Sequence, residues 1–592
     1  MLFHNRWRPH TAVERSAQLH LQLLGSLGIT RPSRVFYTGL ESPRTGIARS
    51  SGNPHSERVH DILIRGGHLF DGTGNPGVAG DLGINGSRIA EIGRISGPAR
   101  RLIDADGLAV APGFIDIKTH SDFTLPINPK AESKVRQGVT TEIVGHCGFS
   151  VAPALPGKVE LLKDYLSPSA PWLPFREASF RDYLQSFPAT AVNAGMLVGH
   201  NTLRLMVMGM AERAPSAAEL QQMIALLEEG LEAGALGMSS GLFTPPGSYA
   251  APEEMIAFGH VLKRHNAAYF THLRDESNEV IEAVAEAIGV AEKCGVHVEI
   301  VHFKCSGVDN WGKAAKVLSM IAQAKARGLD VDCDAYPYDA GSNPLKNLLL
   351  PWVQAGGVAA MLARLAAPQT RERIRTDIAR DGLNNWGRIP SWECVQISIS
   401  PHLSQHAGRT IAALARERAA DPIDTLCDYL IDDKGATRVL VTAISEEDIR
   451  TLVASEQALV GSDGNCVAPY GIVGQGMPHP RFYGTFPRIL SRYVREQNLL
   501  PLERAIHKMT GATARALKFK DRGLLREGFC ADIVIFDPND FADRATYADP
   551  HQFPTGARTS VIVNGTVVVD NATHTGALPG KVLLRSKDGA VG

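Results

Sequence analysis

The sequence predicts an α/β protein: a (β/α)8 TIM barrel, a small β-sandwich domain formed by both chain ends, and a long insertion before the last barrel strand. Three observations carry this expectation. Apolar, β-branched runs alternate with helical patterns through the middle of the chain. Two Asn-Gly turns, Asn85-Gly86 and Asn564-Gly565, sit inside β-rich segments at opposite ends. The strand spacing is regular as far as Tyr338 and then breaks before a final run at 458–463.

Taken in order, regular structure is expected to begin near Asp61. The run Ile62-Leu63-Ile64-Arg65-Gly66-Gly67-His68-Leu69-Phe70 reads as strand, Gly-rich turn, strand, and residues 81–93 repeat the pattern around Asn85-Gly86. Residues 531–537 and 560–570 answer it at the other end. Barrel strands are expected near 112–118, 141–147, 194–199, 235–241, 267–273, 298–304, 329–336 and 458–463, with helices such as Ala217–Ala233 and 279–293 between them. The stretch after Tyr338 carries Leu348-Leu349-Leu350-Pro351-Trp352-Val353 and amphipathic helical runs including 411–419, as expected of a lid or pocket wall. The domain expectation is therefore a poorly ordered extension over 1–60, a β domain from 61–110 and 520–575, and a metal-dependent barrel over 111–515 with its insertion at about 340–455.

Bulk properties narrow the function. The 592 residues are 44% hydrophobic and 21% charged, with a formal net charge of −1. That balance gives no reason to expect nucleic acid or an anionic membrane as a partner, and leaves a small-molecule substrate. No apolar run approaches the ~20 residues of a membrane span. The eight cysteines form no CxxC pair, so a reducing, cytoplasmic compartment is expected. The first 60 residues hold eight Arg and three Glu but no Lys or Asp. This suits an unstructured extension or, alternatively, an organellar transit segment; Leu21-Gln22-Leu23-Leu24-Gly25 is too short and polar for a secretory core.

Four stretches place a metal-type ligand or a carboxylate where a strand should end: Val144-Gly145-His146-Cys147-Gly148, Phe270-Thr271-His272-Leu273-Arg274-Asp275, Ile300-Val301-His302-Phe303-Lys304 and Val460-Gly461-Ser462-Asp463-Gly464. A thiolate, two imidazoles and a late aspartate on separate strand ends are what a catalytic zinc and its proton shuttle require. Alternation along a strand puts Asp116, Lys118 and His120 on one face, and His302 with Lys304 on one face. Each residue alone has a plainer explanation. A buried Cys is usually a small hydrophobe, and Asp463 could cap a helix or make an Asx turn with Gly464.

Pro112-Gly113-Phe114-Ile115-Asp116 followed by a histidine-bearing strand end resembles the opening of the amidohydrolase superfamily. Several further blocks resemble the N-acyl-D-amino-acid deacylase (D-aminoacylase) family: Gly138-Val139-Thr140-Thr141 through Cys147-Gly148, Val198-Gly199-His200-Asn201-Thr202-Leu203-Arg204, Pro245-Pro246-Gly247-Ser248-Tyr249, Thr271-His272-Leu273-Arg274-Asp275-Glu276, His302-Phe303-Lys304, Ala335-Tyr336-Pro337-Tyr338, and His479 through Arg488. The resemblance runs from about Asp61 to about Asn571. It implies a zinc enzyme that hydrolyses the amide of N-acyl-D-amino acids. It implies Cys147, His272 and His302 as zinc ligands and Asp463 as the catalytic acid–base. Lys304, Tyr249 and Tyr336 are implied as substrate-carboxylate contacts, and Arg481 as the reader of the substrate side chain.

One position departs from the family. It opens with His-x-His, and this chain has Lys118-Thr119-His120. An ammonium cannot ligate a metal and repels a second cation nearby. One tight zinc is therefore expected, with a second site and His120 as a primary ligand both in doubt. Lys118 either stands as a fixed charge in the place of a second metal, or pairs with Asp116 or Asp463, or is carboxylated into a metal bridge. A cyclic-amide hydrolase of the dihydroorotase or hydantoinase kind is the enzymatic alternative. It would want a lysine on the fourth strand, where Ala235-Leu236-Gly237-Met238-Ser239-Ser240-Gly241-Leu242 has none. A silent barrel used for binding is a further alternative, and would be expected to have lost several ligands.

Overall fold

The computed structural model describes residues 59–592, so the expected extension lies outside the described residues apart from its last two positions. Eight parallel strands form the barrel: Phe114–Asp116, Val139–Val144, Asn193–Gly199, Gly237–Gly241, Ala268–His272, Val298–Ile300, Val331–Ala335 and Ala458–Val460. Each pairs with the next in that order. The ring closes just beyond its last strand, through a bridge between Thr119 and Gly464. There the Asp463 N–H donates to the Lys118 carbonyl at 2.8 Å and the His120 N–H to the Gly464 carbonyl at 2.9 Å. This closure sets His120 beside Asp463.

The strands are buried almost throughout because helices cover them outside and side chains fill the ring inside. Ala217–Ala233 and Val280–Cys294 are two of those helices. The first opens with a capping box from Ser216 and Glu219 and stops at Gly234, whose φ of 110° only glycine adopts freely. A cap of this kind stabilises by about 1 kcal/mol. Its Met223, Leu227 and Leu231 join the core between helices and barrel.

The terminal β domain is one nine-stranded sheet. His60–Leu69 is its axis: its first half pairs with Ala99–Asp104, its last two residues with Ala109–Pro112, and Val78–Asn85 runs antiparallel on its other side. The C-terminal strands Ile533–Phe536 and Ser560–Val563 extend it from Ala109–Pro112. Period-two alternation gives these strands two jobs. Ile533, Ile535 and Ile562 face the domain's own core, while Val534, Phe536, Val561 and Val563 face the barrel. A short strand, Val582–Leu583, then returns to pair in parallel with Asn193–Gly199 below the fourth barrel strand.

The insertion differs from its helical expectation. It does contain helices, including Ile411–Arg418, but these pack on a three-stranded antiparallel sheet of Ala340–Pro344, Val395–Ile399 and Arg438–Thr442. A core of its own, with Leu345, Trp386, Val395, Ile397, Val439 and Val441, backs that sheet, and the sheet's residues 341–344 and Arg438 line the pocket at the C-terminal mouth of the barrel.

Candidate metal centre and active site

Cys147, His272 and His302 meet at the C-terminal mouth. The chain leaves the second strand through Gly145 (φ 83°), Cys147 (φ 56°) and Gly148 (φ 74°). A β-carbon on Gly145 would lie 2.4 Å from the Leu197 carbonyl oxygen, and one on Gly148 2.0 Å from the Asn201 side-chain oxygen. The two glycines thus let the chain fold back tightly enough to aim the thiol inward. His272 ends the fifth strand and is stacked on Phe243 at 3.8 Å. His302 follows the sixth strand at φ 39°, its N–H donating to Asp334 Oδ1 at 2.9 Å.

Cys147 Sγ lies 3.5 Å from His272 Nδ1 and 3.2 Å from His302 Nε2. A tetrahedral zinc with Zn–S of about 2.3 Å and Zn–N of about 2.05 Å needs an S···N edge of roughly 3.5 Å. All three donors are buried and lie within 4.8 Å of one another. The residues present therefore fit a divalent ion with three protein ligands and one open position. Burial pushes the Cys147 thiol up to about 12, against the pull of Lys118, and lowers both histidines. The two imidazoles are thus held neutral, as ligation requires, and the thiol must release its proton when a cation arrives.

One carboxylate that sequence reasoning did not single out organises this trio. Glu276 lies 3.2 Å from His272 Nε2 and 3.1 Å from His302 Nδ1, and the same two nitrogens meet Asn385 Nδ2 at 3.1 Å and Lys304 Nζ at 3.0 Å. With protons on those two nitrogens, facing the carboxylate, His272 Nδ1 and His302 Nε2 would present lone pairs towards Cys147. Lys304 Nζ donates to Glu276 at 2.6 Å, and Asn385, from the insertion, donates to it at 2.9 Å. Burial opposes ionisation of Glu276, but His272, Lys304 and His302 together hold it well below the usual carboxylate range. Its spacing of four residues after His272 was the available signal.

Asp463, at φ 49°, faces the trio from the closing strand. Lys118 Nζ donates to its Oδ1 at 2.5 Å and Arg481 Nη2 to its Oδ2 at 2.6 Å. Burial raises its pKa, yet Arg481 and then Lys118 overcome this and keep it ionised. Lys118 also reaches His120 Nε2 at 2.9 Å, so its proton occupies the lone pair that a metal would need. Burial and Lys118 lower His120 to about 3. His120 stands apart from the three-donor group. Asp116 is not the partner of Lys118; it pairs with Lys134 at 2.7 Å and accepts from the Ser462 N–H at 2.8 Å.

The pocket above these groups is lined by His120, Cys147, His272, His302, Lys304, Tyr336, Asp463 and Arg481. The Tyr336 hydroxyl and Arg481 Nε and Nη1 are buried without partners, and the Arg481 guanidinium lies 4.6 Å over the Tyr336 ring. Tyr249 is elsewhere: its hydroxyl donates to the Pro351 carbonyl at 3.3 Å, and it does not line this pocket. Arg438, which sequence reasoning passed over, does line it.

Residues 101–569 match the model of the amidohydrolase family. The chain is 37% identical to a D-aminoacylase of Alcaligenes xylosoxydans xylosoxydans over 89% of this chain and 98% of that one. A solved D-aminoacylase, described as having a binuclear metal centre, superposes with a TM-score of 0.74 at 35% identity, covering 89% of this chain and all of the other. An N-acyl-D-glutamate deacylase from Bordetella bronchiseptica, solved with zinc and a phosphonate that mimics the tetrahedral intermediate, gives 0.75 at 32% identity over 89% of this chain and 100% of that one. The chain therefore belongs to the amidohydrolase family, as a metal-dependent enzyme of the N-acyl-D-amino-acid deacylase type acting on linear amides.

Proposed function

We propose that this enzyme hydrolyses N-acyl-D-amino acids to a carboxylate and a free D-amino acid, using one tightly held zinc ion on Cys147, His272 and His302. The observation that carries this is the donor triangle: one sulfur and two imidazole nitrogens at zinc-like separations, with the distal nitrogens on one glutamate. A bound zinc supplies Lewis acidity towards the scissile carbonyl and acidifies the attacking water.

The chain's own residues supply the remainder. Asp463 takes the proton from water at its carboxylate and returns it to the departing nitrogen, so that an amine leaves rather than an amide anion. Its two cationic partners make it a weak base in the resting pocket. A polar substrate side chain that draws Arg481 from it raises its basicity when it is needed. Lys304, two residues beyond His302 in the turn after the sixth strand, and the unpartnered Tyr336 hydroxyl hold the α-carboxylate by charge-assisted hydrogen bonds. Arg481 faces the substrate side chain. Tyr249 is left out of this assignment because its hydroxyl is bonded to Pro351. Lys118 supports the single-ion reading: a buried ammonium between His120 and Asp463 puts positive charge where a second metal would bind.

The test pairs elemental analysis with a panel of N-acetyl-D- and N-acetyl-L-amino acids. About one tightly bound metal per chain is expected, with the D series cleaved, activity lost on chelation and zinc restoring it. Two equally tight ions would overturn the single-ion reading, and full turnover after complete chelation the metal reading.

A further inference from the structure

The pocket holds two cations more than its acids can balance, with Lys118 and Arg481 sharing one carboxylate. Lys304 is paired with Glu276 at 2.6 Å, and both Lys118 and Arg481 with Asp463. Among the described residues Arg438 has no acidic partner. Its hydrogen bonds are to neutral groups: Ser169 Oγ at 2.6 Å, Ser342 Oγ at 3.1 Å and the Ser342 carbonyl at 3.4 Å. It is also not a loose surface arginine. It opens the strand Arg438–Thr442, whose register sets Arg438 against Pro344 and Leu440 against Ser342, and it lines the active-site pocket together with Arg481. Two buried nitrogens of Arg481 are themselves unpartnered. Burial and the neighbouring Arg481 charge lower the Arg438 guanidinium to about 10, which is the mark of a cation lacking an anion.

We propose that Arg438 is a specificity-determining residue that receives a second carboxylate of the substrate, so that the preferred substrates are N-acyl-D-amino acids carrying two acids. The α-carboxylate is already provided for by Lys304 and Tyr336, just past the ends of the sixth and seventh barrel strands. Arg438 approaches from the insertion's sheet and is held between Ser169 and Ser342, so it addresses a different part of the substrate. Its fork geometry suits a planar carboxylate, and the two serines fix that fork before substrate arrives. The second acid can stand on the amino-acid side chain or at the far end of the acyl group. Both present the same chemistry to the guanidinium.

This inference rests on the deacylase reading and is tested separately from it. The zinc-loaded enzyme is assayed for kcat/KM on two matched pairs: N-acetyl-D-glutamate against N-acetyl-D-glutamine, and N-succinyl-D-leucine against N-succinamoyl-D-leucine. The wild type should prefer the acid by at least ~30-fold in one pair, which names the source, with the difference mainly in KM. R438M should reduce that preference to about threefold or less, and R438K should restore part of it. The inference is overturned if neither pair shows a preference in the wild type, if the preference survives R438M, or if R438M lowers acid and amide alike. The last result would place the α-carboxylate on Arg438. Should R438M not fold, the wild-type pairs and R438K decide. Failure of the wild type to cleave any of the four would strike the deacylase reading, whereas cleavage of the amides without a preference for acids strikes only Arg438.

Discussion

Replacing Glu276 by glutamine tests whether one outer carboxylate holds the whole metal centre. The carboxylate accepts from Lys304 at 2.6 Å and Asn385 at 2.9 Å, and lies 3.1–3.2 Å from a ring nitrogen of both His302 and His272. An amide of the same shape has one acceptor oxygen, and its NH2 turns a donor towards at least one imidazole N–H. One ligand then loses its anchor and tautomer, and Lys304 loses its counter-charge in a site where both side chains are nearly inaccessible. Outer-sphere changes of this kind typically cost ~10–100-fold in metal affinity. Because a single carboxylate serves both histidines here, the upper end is expected: about 100-fold, or roughly 2.7 kcal/mol. The assay is zinc competition against a chelator of known affinity at fixed pH, with a thermal melt of the apoprotein alongside. The melt should fall too, since breaking a buried ion pair is destabilising. A folded E276Q protein with wild-type zinc affinity would refute the argument that Glu276 orients the ligands.

Two further outcomes are expected. D463N should retain its metal and lose at least ~100-fold in kcat, the scale of a lost general base, and near-normal turnover in a metal-replete variant would reject the shuttle. Y336F should raise KM by about tenfold or more through the loss of a charge-assisted hydrogen bond, whereas Y249F should change kcat/KM by less than about threefold. A larger effect from Y249F than from Y336F would mean that the loop carrying Tyr249 re-enters the pocket when substrate binds.

The barrel was legible because its strands are buried on both faces and therefore read as continuous apolar runs, several of them followed within three residues by a Cys, His or Asp. The helix at Ala217–Ala233 was legible to the residue because Ser216 and Gly234 punctuate it. The insertion was less so. Its sheet is assembled from segments far apart in sequence, Ala340–Pro344 with Arg438–Thr442, and such pairings leave no local period. The same separation hid Arg438, whose neighbours Ser169 and Ser342 lie 269 and 96 residues away. At the centre itself the residue types were legible, but the pairings were not. Lys118 could have met Asp116 or Asp463; ring closure through Thr119 and Gly464 decides for Asp463, and Lys134 takes Asp116. Tyr249 illustrates the converse: a motif can be present in sequence while its hydroxyl is bonded elsewhere.

The backbone under the reactive groups has a consequence for how such an enzyme is lost. Cys147, His302 and Asp463 all have left-handed φ values, of 56°, 39° and 49°. That conformation costs a side-chain-bearing residue roughly 1–2 kcal/mol relative to its usual regions, and glycine nearly nothing. Three such positions together hold back several kcal/mol, against a typical total stability of only about 5–15 kcal/mol. Selection for stability alone would therefore push Cys147, the smallest of the three side chains, towards glycine first, whereas removing Asp463 would leave Lys118 and Arg481 buried without their counter-charge. A descendant freed from catalysis should replace Cys147 by glycine before it loses Asp463, and an engineer seeking a sturdier inert scaffold would begin with the same substitution.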